Sequence, residues 1–323
     1  MREIVILAGT RGESLAREVC TLLSVRLGEA IVGRFKDGEV RVEIVDNVRD
    51  KDVFIIAPTS PPAENLLELV LLAEAAASSS AGRVTAIPTY LGYNRQDRKM
   101  QSRTPISARL PITLLNKSGA GRVLLLDLHS EATIIAFDEH IKVDHLYGSQ
   151  VSLPHLRPLL GGKSKVASPD KGGTARARAY QRLLGLGDYV IFDKFRPVPN
   201  ETHEEVRIVG DVKGYNLIFP DDIVDTGGTL IADAIAAKQA GAADLYAFCT
   251  HALLSDNAAA RLQQSPFKRI FVTNSIQQDW VALKKTCPKL TMISAAPLIA
   301  EAIQRIHSGQ SLSPLIPKSG AGR

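Results

Sequence analysis

Cysteine is scarce in this chain: Cys20, Cys249 and Cys287 are the only three among 323 residues. Three cannot supply the framework of a small disulfide-rich fold. None stands in a Cys-x-x-Cys pair of the kind that holds structural zinc, so buried, reduced thiols are expected. Aromatic residues are also few, at 5% with a single tryptophan. They are not interleaved with basic residues in the way that stacks unpaired bases, and nucleic acid is not expected as a partner. No uninterrupted apolar stretch reaches the roughly 18 residues of a membrane helix. The run Ile4–Ala8 is too short for a signal peptide and has no cleavage site after it. These absences point to the cytoplasm and make the Asn-x-Ser/Thr matches at Asn116 and Asn200 fortuitous. Charge of one sign is lacking too: 39 basic against 34 acidic residues leave a net +5. So mild an excess suits a phosphorylated ligand. The hydrophobic share of 45% excludes an intrinsically disordered chain.

What is present is a series of short, continuous Val/Ile/Leu runs, the pattern of strands buried on both faces. They are Ile4–Leu7, Val53–Ala57, Val84–Ile87, Val123–Leu126, Val166–Ala167, Tyr189–Phe192, Leu217–Phe219, Leu245–Phe248, Ile270–Val272 and Leu290–Ile293. Helical patterns separate them. In Glu13–Leu27, Leu15, Val19, Leu22 and Leu23 share one face, with Gly28 as the expected stop. Leu66, Leu67, Val70 and Leu71 follow Pro61-Pro62, read as a helix with proline in its first turn. Leu230, Ile231, Ala234 and Ile235 line another helix that ends at Gly241. Alternating strands and helices predict βαβ units and parallel sheets. At ~150 residues per domain the length fits about two domains, and a break near Tyr147–Ser152 divides the strands. The expected organisation is an α/β domain over 1–148, a second similar one over 149–300, and a terminal helix with a loose tail over 301–323 that packs back on the first.

The segment Leu217-Ile-Phe-Pro-Asp-Asp-Ile-Val-Asp-Thr-Gly-Gly-Thr229 carries the strongest chemistry. An apolar strand leads into paired carboxylates, a Gly-Gly turn and a helix. Ligands of open α/β sheets bind at the carboxyl ends of strands. Gly227 and Gly228 admit an anion to backbone N–H groups, and the helix N-terminus adds positive potential. Thr226 and Thr229 offer hydroxyls. Asp221, Asp222 and Asp225 repel phosphate but accept from sugar hydroxyls, so the segment reads as a sugar-phosphate cradle. Gly161-Gly-Lys-Ser164 is not a P-loop, because its first glycine would have to stand at Arg157.

The Leu217–Thr229 string resembles the PRPP loop of type I phosphoribosyltransferases and of PRPP synthetases, the ribose-phosphate diphosphokinases. Further segments are similar to the synthetases alone. Gly33-Arg-Phe-Lys-Asp-Gly-Glu-Val40 resembles their adenine loop, and Tyr93-Asn-Arg-Gln-Asp-Arg98 with Ser102–Ser107 resembles their ATP-phosphate segment. Asp127-Leu-His-Ser130 resembles their metal-and-ATP histidine motif. Ser168-Pro-Asp-Lys-Gly-Gly173 with Arg176 and Arg178 resembles their diphosphate loop, and Asp193–Pro197 the start of their mobile catalytic loop. The motifs occur in the family's order across nearly the whole chain.

The resemblance implies two phosphoribosyltransferase-like domains with the active site between them, transferring the β,γ-diphosphate of ATP to ribose 5-phosphate. It assigns ATP to Phe35, Asp37, Glu39, Arg95, Gln96, Arg103 and His129. Ribose 5-phosphate falls to Asp221, Asp222, Asp225, Thr226, Gly227, Gly228 and Thr229. The diphosphate falls to Asp170, Lys171, Gly172 and Gly173, Mg²⁺ to His129 and Asp170, and charge neutralisation to Lys194 and Arg196 beside His129. It further implies a dimer-based homo-oligomer, a hexamer, whose adenine loop serves a neighbouring subunit. An anion site of regulation would use Arg49, Ser311 and Ser313. Pro220, Phe195, Met100, Gln101 and His145 depart from the family's usual residues. The departures put phosphate activation and ADP inhibition in question. A phosphoribosyltransferase would need only the 217–229 string, and a silent scaffold subunit would be expected to lose Lys194, Arg196, His129 and Asp170.

Overall fold

The computed structural model describes residues 2–99, 101–195 and 205–317, with backbone alone at 194, 195 and 205. The chain forms two units. The first holds Met1–Tyr147, Ser275–Gln277 and Ser294–Ile316; the second holds Gly148–Asn274 and Gln278–Ile293. The terminal segment thus joins the first unit from Ser294, earlier than the expected 301.

In the first unit the chain runs β1 (Ile4–Ala8), α1 (Glu13–Leu23), β2 (Ala30–Arg34), β3 (Val40–Ile44), β4 (Asp52–Ile56) and α2 (Glu64–Ser78). It continues through β5 (Arg83–Ile87), α3 (Arg109–Asn116), β6 (Arg122–Leu126) and β7 (Lys142–Leu146). Strands β1-β4-β5-β6-β7 form a parallel sheet, and β2 and β3 a separate antiparallel hairpin. Val53, Ile55, Val123 and Leu125 are fully buried and pack with Leu69, Leu72 and Ala76 of α2. That burial is why these runs do not alternate with polar residues.

Helix α1 stops short of the expected Leu27. Ser24 turns left-handed at φ 56°, and Val25 N–H returns to the Cys20 carbonyl at 3.0 Å. Gly28 is therefore no helix stop. It lies beside β1, where its N–H bonds the Ile6 carbonyl at 2.7 Å and a Cβ would come within 2.8 Å of the Leu7 side chain. Pro61 and Pro62 precede α2 and its cap Ala63 and do not enter the first turn.

The second unit contains α4 (Ser149–Leu156), β8 (Ser164–Ser168), α5 (Thr174–Leu184), β9 (Tyr189–Phe195), β10 (Glu205–Val209), β11 (Asn216–Val224) and α6 (Gly228–Gln239). After these come β12 (Leu245–Ala252), α7 (Ala258–Gln264), β13 (Arg269–Thr273), α8 (Trp280–Thr286) and β14 (Leu290–Ile293). The chain then returns to the first unit as α9 (Ala296–Ser308). The sheet order is β10-β9-β8-β11-β12-β13-β14, with only β10 antiparallel. Phe219 packs between Phe192 and Phe267, ring centroids 5.2 and 5.5 Å away, and all three are buried. Strand order reverses between β8 and β11, the position at which doubly wound sheets open a crevice for ligands. Strand β11 runs on through Pro220, Asp221 and Asp222 because β12 pairs with it as far as Val224. The β8 ladder ends at Ile218. Pro220 therefore lies where the strand has one neighbour, and its missing N–H is tolerated.

Candidate active site

In the second unit the loops after β8 and β11 sit side by side at the strand-order reversal. The first loop caps itself: Gly173 N–H donates to Asp170 Oδ1 at 2.6 Å, and Ser168 Oγ donates to the Asp170 carbonyl at 2.7 Å. The Asp170 carboxylate and Lys171 remain exposed at its rim, with Lys171 Nζ 2.9 Å from Asp193 Oδ2 on β9. The second loop turns at Gly227, φ 72°, where a Cβ would sit 3.3 Å from Leu262. A left-handed, crowded position of this kind selects glycine. Helix α6 begins directly after it, with Thr226 and Thr229 exposed at its mouth. The backbone N–H groups of that first turn and the helix dipole suit an anion.

Arg176 on α5 joins the two loops. Its Nη1 donates to Asp221 Oδ1 at 3.1 Å and to Asp222 Oδ1 at 2.8 Å. The Asp221 side chain is 25% exposed and that of Asp222 only 5%, so Asp221 presents the more accessible acceptor to a ligand. Burial, followed by the neighbouring Asp222 charge, pushes Asp221 well above the usual carboxylate range, with Arg176 pulling the other way. Asp225 is half-buried at the strand's end. Lys194 was expected on a loop. Its backbone instead lies in β9, opposite Val206 of β10. Arg196 lies outside the described residues.

In the first unit the expected ATP-phosphate residues follow β5 and β6, adjacent strands of the sheet. Arg95 and Gln96 are exposed on a turn that Tyr93 enters at φ 63°. Gly92 begins that turn because a Cβ there would lie 2.3 Å from the Thr59 carbonyl oxygen. The Gln96 carbonyl accepts Ala108 N–H at 3.1 Å, which folds the segment onto the start of α3. His129 is exposed two residues beyond buried Asp127, whose φ is 45°. Arg103, also exposed, has φ 66°. Three side-chain-bearing residues in left-handed backbone along these loops mark an over-determined, strained site.

The loop around His129 is held by groups that sequence reasoning passed over. Leu128 N–H donates to His145 Nε2 at 2.9 Å, and Ser130 N–H donates to Asn94 Oδ1 at 2.9 Å. His145, expected only as a departure, thus supplies an acceptor. Its ring packs 4.5 Å from that of Tyr147, whose phenol is pushed up to about 12 by burial and by Glu131.

Phe35, Asp37 and Glu39 occupy the tip of the β2–β3 hairpin. Phe35 is 52% exposed, as a ring that must stack on a ligand requires. Its N–H donates to the Glu39 carbonyl at 2.8 Å, and Gly38 closes the turn at φ 95°. Asp37 Oδ1 takes Glu39 N–H at 3.1 Å, so part of its acceptor capacity is used within the turn. The hairpin's root is fixed by Glu68 on α2, 1% exposed, which accepts from Arg34 Nη1 at 3.0 Å and from Thr10 N–H at 2.9 Å. Glu68 had no sequence signal of its own, since it acts through distant residues; Arg176 was picked out with the diphosphate loop, but not its contact with Asp221 and Asp222.

Among the described residues no group of three or more His, Cys, Asp or Glu side chains converges as a metal cage. Mg²⁺ commonly takes one or two protein oxygens and completes its shell with water and substrate phosphates; the exposed Asp170 carboxylate offers such an oxygen, and the exposed His129 ring suits contact through water. Arg49 is exposed on the turn before β4. Ser311 Oγ donates to Ser313 Oγ at 2.9 Å just past α9. Two open clefts of about 380 and 480 Å³ run along β1 and Leu27–Ala30, and none of the expected ligand residues lines them.

Residues 4–119 match the N-terminal domain of ribose phosphate pyrophosphokinase, and residues 168–317 match the phosphoribosyl synthetase-associated domain. A ribose-phosphate pyrophosphokinase of Xanthomonas campestris pv. campestris is 42% identical over 317 residues, 97% of this chain and 98% of that one. One from Helicobacter pylori is 40% identical over 316 residues, covering 98% of this chain and 96% of that one. The crystal structure of phosphoribosylpyrophosphate synthetase from Mycobacterium smegmatis superposes with a TM-score of 0.85 at 32% identity. It covers 95% of this chain and 100% of that one.

Proposed function

Because the chain belongs to the ribose-phosphate pyrophosphokinase family, we infer that it transfers the β,γ-diphosphate of ATP to the C1 hydroxyl of ribose 5-phosphate, giving PRPP and AMP. The observation that carries this reading is the pairing of the Asp170–Gly173 and Asp225–Thr229 loops at the strand-order reversal, bridged by Arg176 between α5 and the β11 aspartates. One loop suits a diphosphate and the other a sugar phosphate. Asp221 and Asp222 accept from ribose hydroxyls, and the 225–229 loop holds the 5-phosphate.

On the ATP side, Phe35 stacks on the adenine, and Asp37 and Glu39 accept from its amino group. Arg95, Gln96, Arg103 and His129 hold the triphosphate. The C1 hydroxyl attacks the β-phosphorus in line and gives up its proton to solvent, the bond from the β-phosphorus to the α-phosphate oxygen breaks, and AMP leaves. Positioning and charge neutralisation do most of the work in such a step. Lys194 and Arg196 are assigned to the developing charge. His129 and Asp170 would hold Mg²⁺, which supplies Lewis-acid neutralisation of phosphoryl oxygens when bound.

We further read the protein as a dimer-based hexamer. The half-exposed Phe35 at the tip of the separate β2–β3 hairpin suits a neighbour's site, and Leu67 and Leu71 stand exposed one helical turn apart on α2. Arg49, Ser311 and Ser313 are the candidate regulatory anion site. Three buried thiols fit a reducing, cytoplasmic compartment; no helix among the described residues is long and apolar enough to cross a membrane.

Titration calorimetry with ribose 5-phosphate tests the division of labour. The wild type binds the sugar, Asp221→Asn loses that binding, and Arg95→Ala retains it while losing affinity for ATP. Wild-type sugar binding by Asp221→Asn would remove the assignment.

A further inference from the structure

Asn94 stands at the junction of the two loops assigned to the ATP phosphates. It directly precedes Arg95 in the chain, and its side chain reaches the residue that follows His129. The residue is 2% exposed and both polar atoms of its side chain are engaged. Oδ1 accepts Ser130 N–H at 2.9 Å, and Nδ2 donates to Thr133 Oγ1 at 2.8 Å. Thr133 Oγ1 in turn donates to the Ser130 carbonyl at 2.7 Å.

These three bonds close a ring around the backbone of Ser130. A hydroxyl has one proton. Thr133 gives it to the Ser130 carbonyl and must therefore accept from Asn94. That fixes the amide with its oxygen toward Ser130 N–H, so the ring has a single hydrogen-bond sense. On the other side of His129, Asp127 is held at φ 45°, and Leu128 N–H is tied to His145. The strained stretch that presents His129 is thus anchored at both ends. At the Ser130 end the anchor belongs to the Arg95–Gln96 segment.

We propose that Asn94 is a positioning residue for diphosphoryl transfer, fixing His129 relative to Arg95 and Gln96 through the Ser130 backbone. It touches no ligand; being buried, it acts through the loop. The proposal rests on the assignment of His129 to the ATP phosphates and their metal. A misplacement of about 1 Å in such a constellation can cost up to about a hundredfold in rate.

The test is steady-state kinetics and melting temperature of the full-length protein. Five variants are compared: His129→Ala, Asn94→Ala, Asn94→Asp, Thr133→Val and the double variant Asn94→Ala/Thr133→Val. The expected result is a loss in kcat of about tenfold or more for Asn94→Ala at saturating ATP, with the KM for ribose 5-phosphate unchanged. Asn94→Asp keeps the acceptor for Ser130 but loses the donor to Thr133, and falls between wild type and Asn94→Ala. The double variant is no slower than Asn94→Ala, because both changes act on one backbone segment. If Asn94→Ala does not fold, Asn94→Asp and Thr133→Val carry the kinetic comparison. A lowered melting temperature with wild-type kcat in the Asn94 variants, while His129→Ala is inactive, overturns the proposal. Wild-type kcat in His129→Ala overturns the assignment beneath it, and the proposal with it.

Discussion

Asp221 shows the conflict between folding and binding most directly. Its half-buried carboxylate lies beside Asp222 and is partly compensated by Arg176. The folded state therefore holds the Asp221 proton more tightly than the unfolded chain, whose carboxylate titrates near ~3.9. The Asp221 contribution to stability is greatest below that value, falls as pH rises toward the raised folded value, and is level above it. Asp221→Asn removes this penalty. It should raise the melting temperature at neutral pH, by ~2–4 °C for each kcal/mol recovered, and bring no gain at low pH, where Asp221 is protonated in both states. The same substitution should abolish sugar turnover. A melting temperature below wild type at pH 7 would mean that Arg176 more than compensates the paired carboxylates. Gly227 makes the complementary point. Its φ of 72° and its contact with Leu262 oppose any side chain, so Gly227→Ala should cost about 1–2 kcal/mol from the left-handed backbone alone. Chemical denaturation measures that cost, and the same variant should raise the KM for ribose 5-phosphate.

Elements were legible in the sequence where they are buried on both faces. The runs at Ile4, Val53, Val84, Val123, Leu217, Leu245, Ile270 and Leu290 are all strands of the two sheets. Four strands gave no such run. In β2 and β3, Gly33, Arg34, Arg41 and Glu43 interrupt the apolar residues, because that hairpin lies outside the main sheet and only Ala30, Val32, Val42 and Ile44 pack on the core. β7 and β10 lie at sheet edges and carry Asp144, His145 and Arg207. The site loops were legible because glycine and aspartate must stand at fixed offsets from a strand end. Their supporting contacts were not: Asn94, His145 and Arg176 were named in the sequence but not their bonds to Ser130, Leu128 and the β11 aspartates, and Glu68 was not named at all, because only the fold brings these segments together. The hairpin yields an element-level prediction. Stacking of a base on an aromatic ring is worth ~1–3 kcal/mol, so under the proposed adenine contact Phe35→Ala should raise the KM for ATP by about tenfold while leaving ribose 5-phosphate binding intact. Breaking the root with Arg34→Ala should move the same KM in the same direction. An unchanged KM for ATP in both would detach the hairpin from adenine recognition.

For the whole molecule, one chain carries two mostly parallel-sheet units with different loop sets: those of the first are proposed for the nucleotide phosphates, those of the second for the sugar phosphate and the diphosphate. A phosphoribosyltransferase would need only the second. Conservation of length with the relatives, 97% of this chain against 98% of the Xanthomonas protein, agrees with both units being required. The central claim is that the pair moves a diphosphate in one piece. Phosphorus NMR of the purified protein with ATP, Mg²⁺ and ribose 5-phosphate reads this directly. The account predicts AMP and PRPP in equal amounts, no ADP, and no AMP when the sugar is omitted. ADP with a singly phosphorylated C1, or no turnover from folded protein, would contradict it.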